Sequence, residues 1–481
     1  MRRKADWFFW GLTGIALARL FSMAALPLTD TSEPRYAEIA RLMVETGDWT
    51  TPWFEPGVPF WGKPPLSFWS QALGIKILGT SEFAVRLPSF LAMAALAALL
   101  YRGATVLAGR NPARWATLIL SSMLLPLTAA GAVLTDPFFA LGITCSLLAF
   151  MVAPMVPTPF WRYGFFVGLA IGLLSKGPLA FVLVGLVVVP WLAMHHERRA
   201  HLRALPWFKG TLVMIALSVP WYIAAELKTP GFLQYFLVGE HFLRFVDPGW
   251  QGDLYGTAHA RPWGGIWLEW LLASLPWGVG AIALAIWIGA NASRRARAAQ
   301  AGRSSVAGFL TLWALAAPVF FTFSGNVIWT YVLPSLPAFA LLLAIYANLF
   351  FPAGNAPRLR KMLIATGALV PIAAVTLGLI AIAAPAKLGT EKQLVAVARS
   401  QMHEGQTLYF VHARPFSARF YSEGKAVLIG LGELEKLVLE KRESAFVAIP
   451  KRKASSVEES VKARLAPIYE SRRYTLYRIR G

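Results

Sequence analysis

Eleven apolar segments divide this chain of 481 residues, and each approaches the length that a helix needs to cross a bilayer. Hydrophobic residues make up 56% of the sequence and charged residues only 15%, against about 25% in soluble domains. We therefore predict an α-helical, multi-pass membrane protein with about eleven transmembrane helices. The segments are residues 7–27, 83–101, 115–132, 138–154, 161–175, 178–194, 210–226, 265–290, 307–323, 330–350 and 362–384.

Most basic residues lie in short tracts between these segments, and they explain the net charge of +21 without nucleic acid as a partner. Such tracts begin at Arg2, Arg198, Arg294 and Arg358. The positive-inside rule places them in the cytoplasm, so the chain starts there and ends on the opposite side after an odd number of helices. The first apolar run lacks a small-residue cleavage site, which predicts a retained helix.

Residues 385–481 differ in composition from the rest of the chain. Their alternating runs TLYFVHA, AVLIG, SAFVAIP and YTLYRIR predict strands, and SSVEESVKARLA predicts a helix. We therefore predict a transmembrane domain over residues 1–384 and a small soluble α+β domain over residues 385–481, outside the membrane. The single Cys145 excludes a disulfide framework.

The segment after the first apolar run, TDTSEPRYAEIARLMVETGDW, concentrates charge beside the membrane. Charges there are costly unless they are paired or face water, so this loop is a candidate reaction site. Asp30 and Glu33, next to Arg35 and Tyr36, can bind a divalent cation, orient an acceptor or act as a general base. The alternative is a capping acid, because Pro34 is typical of a first helical turn.

Asp136 is the only acid between Glu82 and Glu197. An isolated carboxylate in an apolar stretch is a second candidate for a functional acid. It can equally cap the next helix, since Pro137 follows it at a position that suits the start of a helix. Both interpretations can hold together.

Lys63, in WGKPPLSFW, is a candidate ligand for a phosphate group at the membrane surface, with Arg35, Lys176 and Arg244 in support. The alternative is a lysine that reaches from an aromatic belt to water. His241, in GEHFLRF, can bind a metal ion, but a lone histidine is more often structural.

The ordered motifs SEPRYAEIARLMVETGDW, GKPPLSFW, SEFAVRLPS, LTDPFFA, SKGPLA, GEHFLRF and YVLPSLPAFALLL resemble those of the aminoarabinose transferase family. These are membrane glycosyltransferases of the GT-C superfamily, related to the protein O-mannosyltransferases. The resemblance covers about residues 7–350. It implies a GT-C fold with amphipathic helices in periplasmic loops, in the bacterial inner membrane, with the reaction site and the C-terminus in the periplasm.

The family also implies the partners. The donor is a sugar on undecaprenyl phosphate or another polyprenyl phosphate, and the acceptor is lipid A or another envelope glycolipid. We expect a monomer in contact with membrane lipids and no nucleic acid.

Position by position, the resemblance implies roles for individual residues. The family's acidic pair falls on Ser32 and Glu33, so Glu33 or Asp30 is expected to serve as the catalytic acid, with Asp136 as the second loop acid. The residues expected at the lipid phosphate are Lys63, Arg244, Tyr331, Arg35 and Tyr36.

The resemblance allows a divalent metal ion as cofactor. His241 matches a histidine that holds a zinc-like ion in relatives, together with a glutamate just before the lysine. That position is Gly62 here, and the stretch before YVLP reads FSGNVIWT without its usual lysine. These departures leave the sugar and the acceptor open.

The implied chemistry is a single displacement with inversion. Lys63, Arg244 and Tyr331 hold the leaving phosphate while the acceptor attacks the anomeric carbon. A hydroxyl acceptor needs a base such as Glu33, whereas a phosphate acceptor is already a nucleophile. A protein O-glycosyltransferase with the same donor is the alternative. A transporter would show charge pairs at mid-membrane and repeat symmetry, which this sequence lacks.

Overall fold

The structure is a computed structural model of the chain. It describes residues 7–194, 198–247, 250, 252, 254–255, 261–352, 357–439 and 445–480. Within these ranges the chain is mostly helical up to Ala383 and then forms a small mixed sheet.

All eleven apolar segments predicted from the sequence are helical. Eight of them form single helices: Trp7–Ala25, Glu82–Ala108, Asp136–Val152, Pro159–Lys176, Leu179–Met194, Trp207–Lys228, Ser305–Thr322 and Pro357–Ala383. Three are broken in two: Arg110–Ser121 with Leu124–Ala129, Gly265–Ala273 with Trp277–Gly289, and Trp329–Ser335 with Leu336–Phe350.

The lengths of these helices confirm a multi-pass membrane protein. Among the described residues, six helices are long and apolar enough to span a membrane, and there are seven if Gly265–Ala273 and Trp277–Gly289 count as one span. These two helices meet at 102°, next to Pro276, a residue that cannot continue a helix without losing a hydrogen bond. Asp136–Val152 and Leu179–Met194 are apolar but shorter. The count of eleven spans stays a prediction.

The loop after the first helix folds into two further helices. Ser32–Thr46 is the amphipathic helix expected at DTSEPRYAEIARLM, and it ends at Gly47 in the left-handed conformation that glycine adopts readily. A short hairpin follows, with β1 at Trp53–Glu55 and β2 at Val58–Pro59. The second helix, Leu66–Leu78, was not predicted.

Five strands form the C-terminal sheet: β3 Leu408–Val411, β4 Val427–Ile429, β5 Phe446–Pro450, β6 Leu465–Glu470 and β7 Tyr474–Ile479. Their order is β4-β3-β5-β7-β6, with β3 parallel to both neighbours and β7 antiparallel to both of its own. The helices beside the sheet are Lys392–Gln401, Phe416–Tyr421 and Leu431–Leu439.

The predicted strands agree with β3, β4, β5 and β7. The helix predicted at SSVEESVKARLA is a single turn, Glu459–Lys462, and β6 begins soon after it. The boundary predicted at residue 384 falls directly after the last long helix. The division into two domains stays a prediction.

The C-terminal part packs against the loop that follows the first helix. The Tyr421 hydroxyl accepts a hydrogen bond from the Leu28 amide at 2.7 Å and donates one to Glu82 at 2.9 Å. Arg419 donates to the Phe54 carbonyl at 2.5 Å. These contacts hold the helix Phe416–Tyr421 on the charged loop, so both lie on one side of the helical bundle.

Candidate functional site

A cavity of about 170 Å³ lies where several broken or irregular elements meet. Its charged and polar lining includes Lys63, Lys176, Glu240, His241, Arg244 and Tyr331. Its apolar lining includes Leu179, Val182, Phe245, Phe320 and Phe321. A cavity with clustered cations on one part of its wall and apolar side chains on the rest suits a phosphate attached to a hydrocarbon chain.

The cavity brings together three of the five residues expected at the lipid phosphate, and each comes from a different irregular element. Lys63 lies in the loop between β2 and the helix Leu66–Leu78. Arg244 follows the π-helical turn Gln234–Leu243, and Tyr331 lies in a 3₁₀ turn. The assigned role of these residues in phosphate binding stays a prediction.

Glu240 lies between the cations of the cavity. Its carboxylate is 3.2 Å from Lys63 Nζ, 3.0 and 3.1 Å from Arg244 Nη1, and 3.3 Å from the Tyr235 hydroxyl, and its side chain is only 5% exposed. Burial raises the pKa of the Glu240 carboxyl, but the charges of Lys63 and Arg244 outweigh burial and hold the pKa below its ordinary value. The carboxylate is therefore ionised.

Sequence analysis did not assign a role to Glu240. Its spacing of four residues from Arg244 was the available signal, because such a pair meets on one helix face. The same contacts act on Lys63: burial lowers the pKa of its ammonium, but Glu240 outweighs burial and raises it. Lys63 thus keeps its charge inside the cavity.

Lys176 enters the cavity as half of an ion pair. Its Nζ lies 2.6 Å from Asp136 Oδ1, both side chains are 8% exposed, and the ammonium is 4.8 Å from the centre of the Tyr331 ring. Asp136 is the first residue of its helix, and that helix has no side-chain capping bond. The charge of Asp136 therefore neutralises Lys176, and the capping alternative finds no support.

Glu33 forms a separate ion pair outside the described lining of the cavity. Its two carboxylate oxygens accept hydrogen bonds from Arg86 at 3.0 and 2.7 Å, and one also accepts from the Val133 amide at 3.0 Å. A carboxylate with these partners is poorly placed to take a proton from an acceptor. The structure thus does not bring Glu33 to the phosphate cavity.

Asp30 also lies outside that lining. Its buried carboxylate accepts hydrogen bonds from the Ser417 amide at 2.8 Å and the Ser417 hydroxyl at 2.6 Å, and it pairs with Arg473. These partners belong to the C-terminal part of the chain. The contacts make Asp30 an anchor between two parts of the molecule, and its catalytic role stays a prediction.

Arg35 and Tyr36 are not part of the described cavity wall either. Arg35 donates a hydrogen bond to the Tyr255 carbonyl, and its guanidinium lies 5.2 Å from the centre of the Tyr36 ring. Tyr36 is buried and packs edge to face against Phe60 and Phe68. Both residues therefore support the fold of the loop that carries Lys63.

His241 lines the cavity, but its ring nitrogens already have neighbours. Nδ1 lies 2.7 Å from the Phe236 carbonyl and Nε2 lies 2.8 Å from the Lys176 carbonyl. Both nitrogens thus face backbone carbonyl oxygens, and a metal ion could reach either nitrogen only if that carbonyl moved away. Burial lowers the pKa of the imidazole below its ordinary value.

The described residues do not fit a metal centre. They contain no group of three or more histidine, cysteine, aspartate or glutamate side chains that could hold an ion. At Gly62, even an added Cβ would lie 3.0 Å from the Phe60 ring. A glutamate at that position would need space that Phe60 fills. His259 lies outside the described residues.

Comparisons with known proteins agree with this geometry. The family model of dolichyl-phosphate-mannose-protein mannosyltransferases matches residues 26–236. The undecaprenyl phosphate-alpha-4-amino-4-deoxy-L-arabinose arabinosyl transferases of Edwardsiella ictaluri and Yersinia enterocolitica are 29% and 31% identical over 72% and 69% of this chain. The chain covers 60% and 58% of their lengths.

The crystal structure of ArnT from Cupriavidus metallidurans bound to undecaprenyl phosphate is similar to this fold, with a TM-score of 0.77 at 17% identity. The match covers 99% of this chain and 98% of that one. The chain thus has a membrane-protein fold of the GT-C type. The sequence relatives narrow this class: over about 70% of its length the chain is similar to aminoarabinose transferases, which confirms the resemblance seen in its motifs.

Proposed function

We propose that this chain is a glycosyltransferase that moves a sugar from undecaprenyl phosphate, or a related polyprenyl phosphate, to lipid A or lipopolysaccharide core. The reaction inverts the anomeric carbon and takes place on the periplasmic face of the bacterial inner membrane. The protein acts as a monomer among membrane lipids. The names of the sequence relatives support a donor of this type.

The observation that carries this proposal is the composition of the cavity. Lys63, Lys176 and Arg244 line the same 170 Å³ space as five large apolar side chains. Fixed cations stabilise the charge that develops on a leaving phosphate, and they need not donate a proton. The apolar part of the wall suits the prenyl chain next to that phosphate.

In the proposed step, an acceptor oxygen attacks the anomeric carbon and the bond from that carbon to the phosphate oxygen breaks. The electron pair of the broken bond stays on the phosphate. A hydroxyl acceptor must also lose a proton, but Glu33, Asp30 and Asp136 are all held by other partners. A phosphate acceptor needs no base, so this geometry favours a lipid A phosphate over a core hydroxyl.

Transfer to protein is the second candidate, because the family model of protein mannosyltransferases matches residues 26–236. The two candidate functions differ in the acceptor that gains the mass of the sugar, which is a lipid in one and a protein in the other. Mass spectrometry of lipid A, lipopolysaccharide core and envelope proteins, from cells with and without this gene, separates them. A sugar lost only from protein would overturn the lipid A proposal.

The donor site is tested by Lys63→Ala, assayed with a polyprenyl-phosphate sugar. We expect transfer to be abolished while the protein stays folded, because the phosphate loses one of its cations. Lys76→Ala is the matched control, since Lys76 is exposed at the end of the helix Leu66–Leu78. Near-normal turnover by Lys63→Ala would remove Lys63 from the site.

A further inference from the structure

Three cations and the carboxylate of Glu240 line the cavity, and a second carboxylate, that of Asp136, contacts one of these cations from outside the described lining. Lys63, Lys176 and Arg244 provide the positive charges, while Asp136 pairs with Lys176 and Glu240 pairs with the other two. The formal charges of these described side chains leave one net positive charge. A site that only had to attract phosphate would bind it more tightly with fewer carboxylates near the cations.

Asp136 and Glu240 differ in position. Asp136 neutralises a single lysine, whereas Glu240 contacts both Lys63 and Arg244, at 3.2 Å and at 3.0–3.1 Å. A phosphate that binds in this cavity uses the same N–H donors, so it approaches the Glu240 carboxylate closely. Tyr235 holds that carboxylate in place with a hydrogen bond of 3.3 Å.

The proposed reaction changes the charge of the bound lipid. The sugar donor is a phosphodiester with one negative charge. Cleavage of the bond between the sugar and the phosphate oxygen leaves a phosphate monoester, which carries roughly −1.5 to −2 charges at pH 7. The one net positive charge of these five described side chains balances the donor but not this product.

We propose that Glu240 sets the charge preference of the cavity, so that it retains the monoanionic donor and releases the polyprenyl phosphate after transfer. This inference rests on the proposed function. Lys63, Lys176 and Arg244 stabilise the charge that develops on the leaving phosphate, and Glu240 limits that stabilisation, so the dianionic product is held less tightly than the cations alone would hold it. Glu240 is thus a residue that determines specificity between donor and product, and it takes no proton in the reaction.

The test compares two lipids that differ by one charge: undecaprenyl phosphate and its methyl ester. Binding of each to the purified full-length protein is measured at about pH 8, where the phosphate monoester is a dianion. The wild-type protein should bind the ester at least as tightly as the dianion. Because a cation cluster without Glu240 favours higher negative charge, Glu240→Gln should shift the ratio toward the dianion by on the order of 10-fold.

Two controls accompany this measurement. Glu240→Asp keeps the charge and should keep the wild-type preference. Glu45→Gln makes the same chemical change at an exposed acid outside the cavity, and it should alter neither affinity. In turnover assays, Glu240→Gln should also become more sensitive to inhibition by added undecaprenyl phosphate.

The outcomes distinguish this inference from the proposed function. A wild-type protein that binds both lipids but prefers the dianion overturns the role of Glu240 alone, and this result needs no variant to fold. The role of Glu240 in charge preference is also overturned if Glu240→Gln leaves the ratio of the two affinities unchanged, or if it weakens the binding of both lipids. Either result would make Glu240 a positioning residue. A wild-type protein that binds neither lipid overturns the polyprenyl-phosphate donor itself.

Discussion

Asp136 and Lys176 form an ion pair with little access to water, since both side chains are 8% exposed. Removal of one partner from such a pair leaves a buried charge without compensation, whereas removal of both does not. The stability of the helical bundle around this pair should therefore depend on whether the two residues change singly or together.

We expect Asp136→Asn to lower the free energy of unfolding by about 3–5 kcal/mol. The double variant Asp136→Asn with Lys176→Met should lose less than Asp136→Asn alone, because no lone ammonium remains. Denaturant unfolding of the purified variants gives both values. A double variant that loses as much stability as Asp136→Asn alone, or more, would contradict a compensating pair.

Glu33 forms a second ion pair, whose partner is an arginine and not a lysine. Its carboxylate compensates the buried guanidinium of Arg86, which lies in the helix Glu82–Ala108. Glu33→Gln keeps the size of the side chain but removes that charge, so we expect a loss of about 3 kcal/mol in stability together with a loss of activity. Thermal unfolding and transfer rate are measured on the same preparation. A reduced rate with unchanged unfolding would instead make Glu33 a catalytic base.

The helix Phe416–Tyr421 connects the C-terminal sheet to the charged loop. Polar contacts contribute to this connection, and the Tyr421 hydroxyl makes two of them, to Leu28 and Glu82. Since Tyr421→Phe removes only that hydroxyl, it isolates the contribution of hydrogen bonds from that of packing.

Tyr421→Phe should destabilise the protein by about 1–3 kcal/mol, since it leaves a buried amide and part of a carboxylate without partners. It should also speed proteolysis between the last long helix and the sheet. Tyr409→Phe, in β3, is the control, because no hydrogen bond from the Tyr409 hydroxyl is among those of the described residues. Equal unfolding of the two variants would show that packing alone holds this helix.

Elements with a strong hydropathy signal could be predicted from the sequence, and those defined by distant contacts could not. The eleven apolar segments are helical because a bilayer leaves their backbone no other way to satisfy its hydrogen bonds. The helix Leu66–Leu78 was missed because it is short and nearly uniformly apolar, and the prolines before it suggested a loop. The breaks inside three segments depend on tertiary packing.

The same division applies to the candidate site. Lys63, Arg244 and Tyr331 could be assigned to one site because family motifs carry them. The partners of Asp30 and Glu33 could not be predicted, since Ser417 and Arg86 lie far away in sequence and pattern reveals no such pairing. The concentration of charged residues beside the membrane indicated that the first loop is important. It did not show which of these residues take part in catalysis and which stabilise the fold.

Two distant parts of the chain share one side of the membrane, whatever the number of transmembrane helices. The C-terminal sheet contacts the loop that follows the first helix, so the two must lie on the same side of the membrane. The basic helix Ala292–Gly302 follows the bent pair of helices, and we expect it to lie in the cytoplasm by the positive-inside rule.

Reporter fusions test this arrangement. Reporters after Gly481 and in the hairpin turn at Gly57 should both be active only in the periplasm, and a reporter at Gly302 only in the cytoplasm. The reporters at Gly481 and Gly57 must give the same result even if the helix count is wrong, because the C-terminal part of the chain contacts the first loop. Opposite results for Gly57 and Gly481 would contradict the docked C-terminal sheet.

The pairing of Asp30 with Arg473 joins residues that are 443 positions apart. During synthesis the first loop therefore reaches the membrane surface long before the ribosome has made the strand that completes its contacts. A premature stop codon anywhere before β7 removes that partner and leaves a buried carboxylate uncompensated. The contacts of the first loop are thus complete only after translation has passed Arg473.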